Sequence, residues 1–578
     1  MPEEASFEDK YDKIVDLAKR RGFFWPSYEI YGGVAGFYDL GPLGTMLKIN
    51  IVNLWREYFV LRHQDLVTEV ETPVIVPEVL LKASGHLDHF TDPIIECLSC
   101  GRKYRADHLI EEATGLKVEG RSIEELNEIV KNKGLKCPQC GGELSEVRTF
   151  NLLFKTTIGP YSSDAGYLRP EAAQGMFVSF KRVFVSMREK LPLGIAQIGR
   201  VARNEISPRQ GMIRLREFTI MEIEFFHDPE GEDPPWDRFS GKLRLLPAEL
   251  RQKGEENPIE IDVIEAVREG IIKNKWLGYW MCVAREFVKE LGVGYGEMYF
   301  EEKMPYERAH YSAQTFDQLV RISRWGWIEV SGHAYRTDYD LRRHMEFSGQ
   351  DMTIFKPFKE PKIVEVEKVV VDKSTLGRLL GHHLTSFLEA LKNVSIEEIK
   401  KAVTSSEETV VIAGVRVPRT AISIVKETEK VAGTRIIPHV AEPSFGAERL
   451  VLLVLDKAYT EEEGRIVLKI PRKIAPVKVA VFPLLEREEL VRVARRIYAE
   501  LMSLGLTVIY DESGSIGRRY ARADEIGVPY AITVDFQTLS DDTVTIRERD
   551  TRKQIRVSIK NVYSELSRML HQPESSAL

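Results

Sequence analysis

Apolar positions recur along this chain with two periods, and the change from one to the other marks out its elements. The opening residues and the stretch 47–61 carry apolar side chains at helical spacing, with Gly32-Gly33 and Gly41-Pro42 turning the chain between them. The stretch 66–76 (LVTEVETPVIV) is rich in β-branched residues and predicts a strand interrupted at Pro73. Proline removes a backbone donor there, so the site requires a sheet edge or a bend. Strand-like sequence resumes at TFNLLF (149–154). Between 195 and 226 two strand-like runs, AQIGRVARNEI and REFTIMEIEFF, flank SPRQGMIR and predict an antiparallel hairpin with a long connection. WLGYWMCVAREF (276–287) is an apolar helical stretch that buries Cys282 as plain core.

Other segments break the pattern. Residues 91–149 read as an insertion: a cysteine pair, a charged helical arm at 123–133, then a second pair. Residues 228–260, rich in Pro, Gly and charge, read as a surface linker. Residues 345–435 alternate strand and helix signals with many Lys and Glu and read as a second insertion. Toward the C-terminus, strands at 478–482, 506–510, 530–534, 543–547 and 554–559 and helices at 486–504 and near 516–526 predict an α/β domain with a partly parallel sheet. The resulting division is 1–90, 150–344 and 436–474 for one interrupted domain, 91–149 and 345–435 for the insertions, and 475–578 for the last domain.

Composition narrows the class without naming it. At 578 residues the chain is too long for one core, and 43% hydrophobic with 29% charged residues is ordinary for a soluble folded protein. The net charge of −7 announces no nucleic-acid binder, so any basic footprint must be local. The run 547–560 holds six basic residues against two acidic ones, a solvated face unless the domain touches RNA. The acidic N-terminal segment lacks an apolar signal core and the aliphatic run 450–455 is too short to span a bilayer, so no membrane partner and a cytoplasmic location are expected.

Three constellations carry chemistry. Arg203-Asn204-Glu205, followed by Arg214 and Phe218, places two guanidinium groups on one hairpin, where they could grip different phosphates of a nucleotide. Phe218 offers a face to a purine and Glu205 an acceptor to its amino group. The same residues would also serve a plain surface hairpin with interstrand salt bridges. In EPSFGAER (442–449), Gly446 between strand-like and helical sequence lets backbone approach a ligand, and Arg449 opens an apolar helix. Arg449 could equally pair with a nearby acid. Cys97-x-x-Cys100 and Cys137-x-x-Cys140, each followed by Gly, have zinc-knuckle form, with 36 residues between the pairs. With no His or acid companion, that metal site is structural. His86, His89, His382 and His383 read as local packing or hydrogen bonding.

The two arginine segments together with Pro73 resemble the three signature motifs of class II aminoacyl-tRNA synthetases. IYGGVAGFYDLGPLG (30–44), YRADHL (104–109), FNLLFKT (150–156), GYLRPEAAQG (166–175), the run 203–226, RTDYDL (336–341) and EPSFGAERL (442–450) look like glycyl-tRNA synthetases of the archaeal and eukaryotic type. The resemblance implies an α+β fold: an antiparallel catalytic sheet flanked by helices, a zinc-binding insertion, a second insertion and a C-terminal α/β anticodon-binding domain. It implies an ATP-dependent ligase that joins glycine to tRNA(Gly), working as a homodimer through the Pro73 segment. For ATP it implies Arg203 on the α-phosphate, Arg214 and Arg449 near the terminal phosphates, and Glu205 and Phe218 on the adenine. Asn204, Ile213, Val330 and Gly446 complete that site, and Glu329 faces ATP and its magnesium. For glycine it implies Glu171, Glu222 and Glu442 around the ammonium, Ser444 lining the pocket, and Arg336 near the carboxylate, with Arg105 a further candidate. Several carboxylates sharing one small cation would repel one another when it is absent, so raised pKa values are expected among them. In the last domain Arg518, Arg519 and Arg522 are candidate RNA contacts. A synthetase-like nucleic-acid-binding protein without catalysis is the alternative, marked by loss of the arginines and glutamates that are present here.

Overall fold

Strand Glu217–His227 shows why this chain builds its central sheet as it does. In a strand successive side chains face opposite sides. Met221, Ile223 and Phe225 therefore join the hydrophobic core. Phe218, Ile220, Glu222 and Glu224 share the other face. The strand pairs antiparallel with Leu193–Ala202, from Leu193 opposite Phe226 to Ala202 opposite Glu217, which is the predicted hairpin. The structure, a computed structural model, describes residues 2–160, 164–208 and 211–572. Arg209 and Gln210 of the hairpin connection, and 573–578 of the last domain, lie outside the described residues.

The hairpin belongs to a nine-stranded sheet. In spatial order its strands are Ile259–Asp262, Lys242–Leu246, Met298–Glu302, Gln314–Ile322, Gly326–Thr337, His439–Gly446, Glu217–His227, Leu193–Ala202 and Val67–Glu69. Neighbours are antiparallel except at two places, Lys242–Leu246 beside Met298–Glu302 and Leu193–Ala202 beside Val67–Glu69. Val67–Glu69 stops before Pro73, and strand pairing resumes at Ile75–Pro77 in a different sheet. The interruption at the proline is thus a change of sheet.

Helices Pro42–Phe59, Lys275–Glu290 and Ala447–Ala458 cover the apolar face. Lys275–Glu290 starts where the Asn274 side chain accepts from the backbone of Trp276 and Leu277, satisfying donors that a helix start leaves open. Cys282 is buried within it. The linker reading of 228–260 requires correction in its second half. Leu243, Leu245 and Leu246 are buried in sheet strand Lys242–Leu246, whose apolar content is masked in the sequence by the preceding PEGEDPPWDRF.

The cysteine-bearing segment has its own small core, including Ile95, Ile110, Leu126 and Val130, under a sheet of Lys103–Arg105, Thr91–Glu96 and Arg148–Asn151. Its helix Ile123–Asn132 opens with a reciprocal capping box between Ser122 and Glu125. Residues Thr353–Ile437 form a separate compact unit. It consists of a long ribbon, Ile354–Val371 with Ile422–Ile436, helices such as Ile396–Val403, and a core that includes Leu376, Phe387, Ile399 and Val417.

The last domain has a five-stranded sheet in the order Val508–Tyr510, Val479–Pro483, Tyr530–Val534, Thr543–Glu548, Gln554–Ser558. The first three strands are parallel and the last two antiparallel. Two of the six basic residues of the run 547–560 are not surface charges, whereas Arg552, Lys553, Arg556 and Lys560 are exposed. Arg547 is buried on both oxygens of Asp524, and Arg549 is buried beside Asp550. Arg519 is likewise buried, donating to the carbonyls of Pro483, Glu512 and Gly514, so it is a structural crosslink. Arg522 is engaged by Asp511, whereas Arg518 is exposed.

Candidate active site

The hairpin and the strand His439–Gly446 lay their polar alternation along one cavity. It is lined by Arg203, Glu205, Ile213, Arg214 and Phe218 from the hairpin, by Glu329 and Val330 from strand Gly326–Thr337, and by Ser444, Gly446 and Arg449. Asn204 contributes from outside the lining: its backbone N–H donates to Leu152 O at 2.7 Å and fixes the turn. Arg203 Nε donates to Pro170 O at 3.0 Å, and its guanidinium lies 5.4 Å from the centre of the Phe218 ring. The arginine and the aromatic face are thereby presented together.

Arg449 is aimed by two carbonyls. Nε and Nη2 donate to Ile213 O at 3.1 and 3.0 Å, and Nη1 donates to Glu329 O at 2.6 Å. The Glu329 carboxylate is 3.6 Å from the same Nη1 and half-exposed to the cavity. Burial alone would raise its pKa, but Arg449, Lys303, Arg203 and Arg214 outweigh it and hold the group below the usual carboxylate range. Glu329 is therefore an anion available to a hard cation. Gly446 has an ordinary backbone (φ −94°), and a Cβ there would meet Phe218 at a normal 3.9 Å. What its missing side chain provides is room in the cavity wall. Glu448, which also lines the cavity, was not anticipated: its carboxylate accepts from the N–H and hydroxyl of Thr219 and from Lys48 and Arg200. It ties the helix carrying Arg449 to the strand carrying Phe218.

Behind this cavity lies a dense, buried set of acids. Glu222 accepts from Ala172 N–H at 2.8 Å and from the Ser444 hydroxyl at 2.9 Å. Glu171 accepts from Gln174 at 2.9 Å. Arg336, fully buried, is shared by Asp340 at 2.9 Å, Glu442 at 2.9 Å and Glu171 at 3.3 Å, with Tyr311 stacked on its guanidinium at 3.7 Å. Its donors are thus occupied by acids, and its immediate effect is to neutralise them. Burial, with Glu442 and Glu171 close by, pushes the Glu222 carboxyl up to about 8. Burial and Glu171 likewise raise Glu442 despite Arg336. Glu171 moves the other way: burial would raise it, but His86, Arg336 and Gln174 hold it well below the usual range. Mutual repulsion is therefore relieved by protonating some members of the group and pairing others.

Sequence reasoning missed four participants. Asp340 and Gln174 belong to the hydrogen-bonded network. His86, set aside as local packing, has Nε2 3.5 Å from Glu171. Glu224, fully buried, has no hydrogen-bond partner on either carboxyl oxygen, and burial together with Glu442 raises it well above the usual range. The alternation of MEIEFF was the available signal for Glu224; nothing local pointed to the others.

Arg105 lies outside this acid set. Its guanidinium is bound by Asp107 at 2.8 Å and faces Asp92 at 3.5 Å. It lines a second cavity of about 330 Å³ with Tyr104, His108 and Gln139, which adjoins the first through Glu205 and Arg214. The four cysteines Cys97, Cys100, Cys137 and Cys140 converge, with all sulfurs within 4.8 Å of one another. The Cys97–Cys140 and Cys100–Cys137 separations are 3.5 and 3.8 Å. A tetrahedral ion with sulfur ligands at about 2.3 Å requires sulfur separations of about 3.8 Å, so the donor set fits such an ion.

The comparisons with known proteins agree in their extent. Residues 156–458 match the model of the tRNA synthetase class II core domain (G, H, P, S and T), and residues 478–569 match the anticodon binding domain. A glycine--tRNA ligase of Aeropyrum pernix is 57% identical over 98% of this chain and 97% of its own length. The chain belongs to the glycine--tRNA ligase family. Other members of the family are more distant but just as collinear. The Pyrococcus furiosus protein is 47% identical over 97% of this chain and 99% of its own length. The Methanococcus vannielii protein is 42% identical over 97% of this chain and all of its own length. No described helix is long and apolar enough to cross a membrane.

Proposed function

We infer that the chain activates glycine with ATP and transfers it to tRNA(Gly). The observation that carries this reading is Ser444, which lines the nucleotide cavity and donates to Glu222 of the acid pocket at 2.9 Å. Nucleotide and amino acid then meet at one side chain, as adenylate formation requires.

In the first step a glycine carboxylate oxygen attacks the α-phosphorus of ATP and pyrophosphate leaves. No protein nucleophile is needed; the residues orient the reactants and neutralise charge. Arg203 holds the α-phosphate, Arg214 and Arg449 the terminal phosphates, and Phe218 and Glu205 the adenine, with Asn204, Ile213, Val330 and Gly446 shaping the site. Glu329 would hold magnesium brought with ATP, and the ion would supply further charge neutralisation at the phosphates. Glu171, Glu222 and Glu442 receive the ammonium. The pocket rejects larger amino acids by lack of space, with Ser444 in its wall. Arg336 keeps the acids in place and supports the substrate carboxylate only indirectly. In the second step the terminal ribose hydroxyl of the tRNA attacks the glycyl carbonyl and AMP leaves. Arg105, held by Asp107 outside the acid set, has no direct part in glycine capture in this reading.

Zinc on the four cysteines holds the insertion together, which the convergence of their sulfurs supports. A homodimer in the cytoplasm is the working form. Val74, Ile75 and Val79, exposed beside Pro73, support a second copy docking there. Amino-acid-dependent exchange of pyrophosphate into ATP, run across the twenty amino acids, tests the function. Exchange with glycine alone is expected. Exchange with none would leave a nucleic-acid-binding protein without catalysis.

A further inference from the structure

His86 sits at the start of the short helix His86–His89, 3% exposed, in the wall of the acid pocket. Both of its ring nitrogens have polar neighbours. The Ser84 hydroxyl donates to Leu81 O at 3.2 Å and lies 2.8 Å from His86 Nδ1. Nδ1 is thus engaged by a hydroxyl, which can donate to it or accept from it. Nε2 then faces Glu171 Oε2 at 3.5 Å. A bare Nε2 would set a lone pair against a carboxylate oxygen. The other oxygen, Oε1, accepts from Gln174 Nε2 at 2.9 Å and faces Arg336 Nη2 at 3.3 Å, partners suited to an anion. Glu171 is held well below the usual carboxylate range, in agreement with an anion here.

The remaining neighbours of His86 do not compete for this contact. Phe90 packs on it from its own segment. His310 and Tyr311 approach from the loop before strand Gln314–Ile322, and His310 Nε2 is committed to Ser84 O at 2.8 Å. Arg336 and Asp340 reach Glu171 from its other side, directly and through Gln174.

We propose that His86 is a positioning residue of the glycine pocket: its Nε2–H clamps Glu171 Oε2 and orients that carboxylate toward the substrate ammonium. The contact is long in the empty pocket and tightens when the ammonium draws Glu171 into place. This inference rests on the reading of the pocket as a glycine site.

The test is pyrophosphate exchange by the full chain, with glycine and ATP varied separately. His86→Leu should raise the KM for glycine at least tenfold, with the KM for ATP within twofold. His86→Gln, which keeps a donor, should recover most of the loss. Ser84→Ala, which removes the partner behind Nδ1, should raise the KM for glycine about threefold and leave kcat within twofold. A change confined to thermal stability, or KM values for glycine and ATP that rise together, would overturn the proposal. If His86→Leu does not fold, an unchanged KM for glycine in Ser84→Ala overturns it instead. Failure of the unaltered chain to exchange with glycine would count against the proposed function and is read before any variant.

Discussion

Glu222 offers the sharpest check on the acid pocket. The ammonium needs it ionised, yet burial, Glu442 and Glu171 push its carboxyl up to about 8 from an ordinary 4.5. Glycine's own ammonium stays protonated from pH 6.5 to 8.5, so protein titration dominates in that window. With the group at about 8, its ionised fraction falls from about three-quarters at pH 8.5 to about 3% at pH 6.5. The KM for glycine should therefore rise about twenty-fivefold over that descent while the KM for ATP changes little. Glu222→Gln should flatten the profile and hold KM high. Losing one carboxylate–ammonium contact at about 4 Å in a medium of effective dielectric near 20 costs up to roughly 4 kcal/mol. The same substitution should stabilise the fold. The unfolded chain releases this proton near 4.5 and the folded chain keeps it to about 8, so folding takes up a proton in between. Stability from this group thus falls as pH climbs through that window, and above it the cost reaches a ceiling of roughly 5 kcal/mol that glutamine removes. Pyrophosphate exchange and thermal melting at pH 8.5 measure both effects. A KM for glycine that stays flat from pH 6.5 to 8.5, or a Glu222→Gln variant that keeps the slope, would refute the reasoning.

Three further outcomes follow from the geometry. Arg449→Lys loses the fork that grips Ile213 O and Glu329 O, and should raise the KM for ATP tenfold or more, about 1.5–3 kcal/mol, with glycine affinity little changed. Cys137→Ser should lower bound zinc, read by elemental analysis, and open 91–149 to protease while leaving glycine-dependent exchange largely intact; full metal retention would contradict the four-sulfur site. Arg519→Ala strands the carbonyls of Pro483, Glu512 and Gly514 and should destabilise the last domain by about 2–4 kcal/mol. If tRNA affinity fell with the melting midpoint unchanged, Arg519 would be an RNA contact after all.

Local pattern was enough for much of this protein. The hairpin Leu193–Ala202 with Glu217–His227 and the alternating strands and helices of the last domain follow from periods of two and 3.6, because backbone geometry alone decides which side chains share a face. The C-x-x-C pairs announced their convergence because two tight turns need only a few adjacent residues. Charge was read less well. Arg519 and Arg547 look the same in sequence as solvent-facing arginines, and only packing buries them against carbonyls and Asp524. Strand Lys242–Leu246 was hidden by its polar surroundings, since its three buried leucines are too few to show a period. The acid pocket depends most on the tertiary fold. Glu171, Glu222 and Glu442 were recognisable one at a time, but their opposite titration depends on Arg336, Asp340 and His86, which lie up to 356 positions away along the chain. Electrostatic energy depends on distance and burial in space, and no local pattern of residues encodes either.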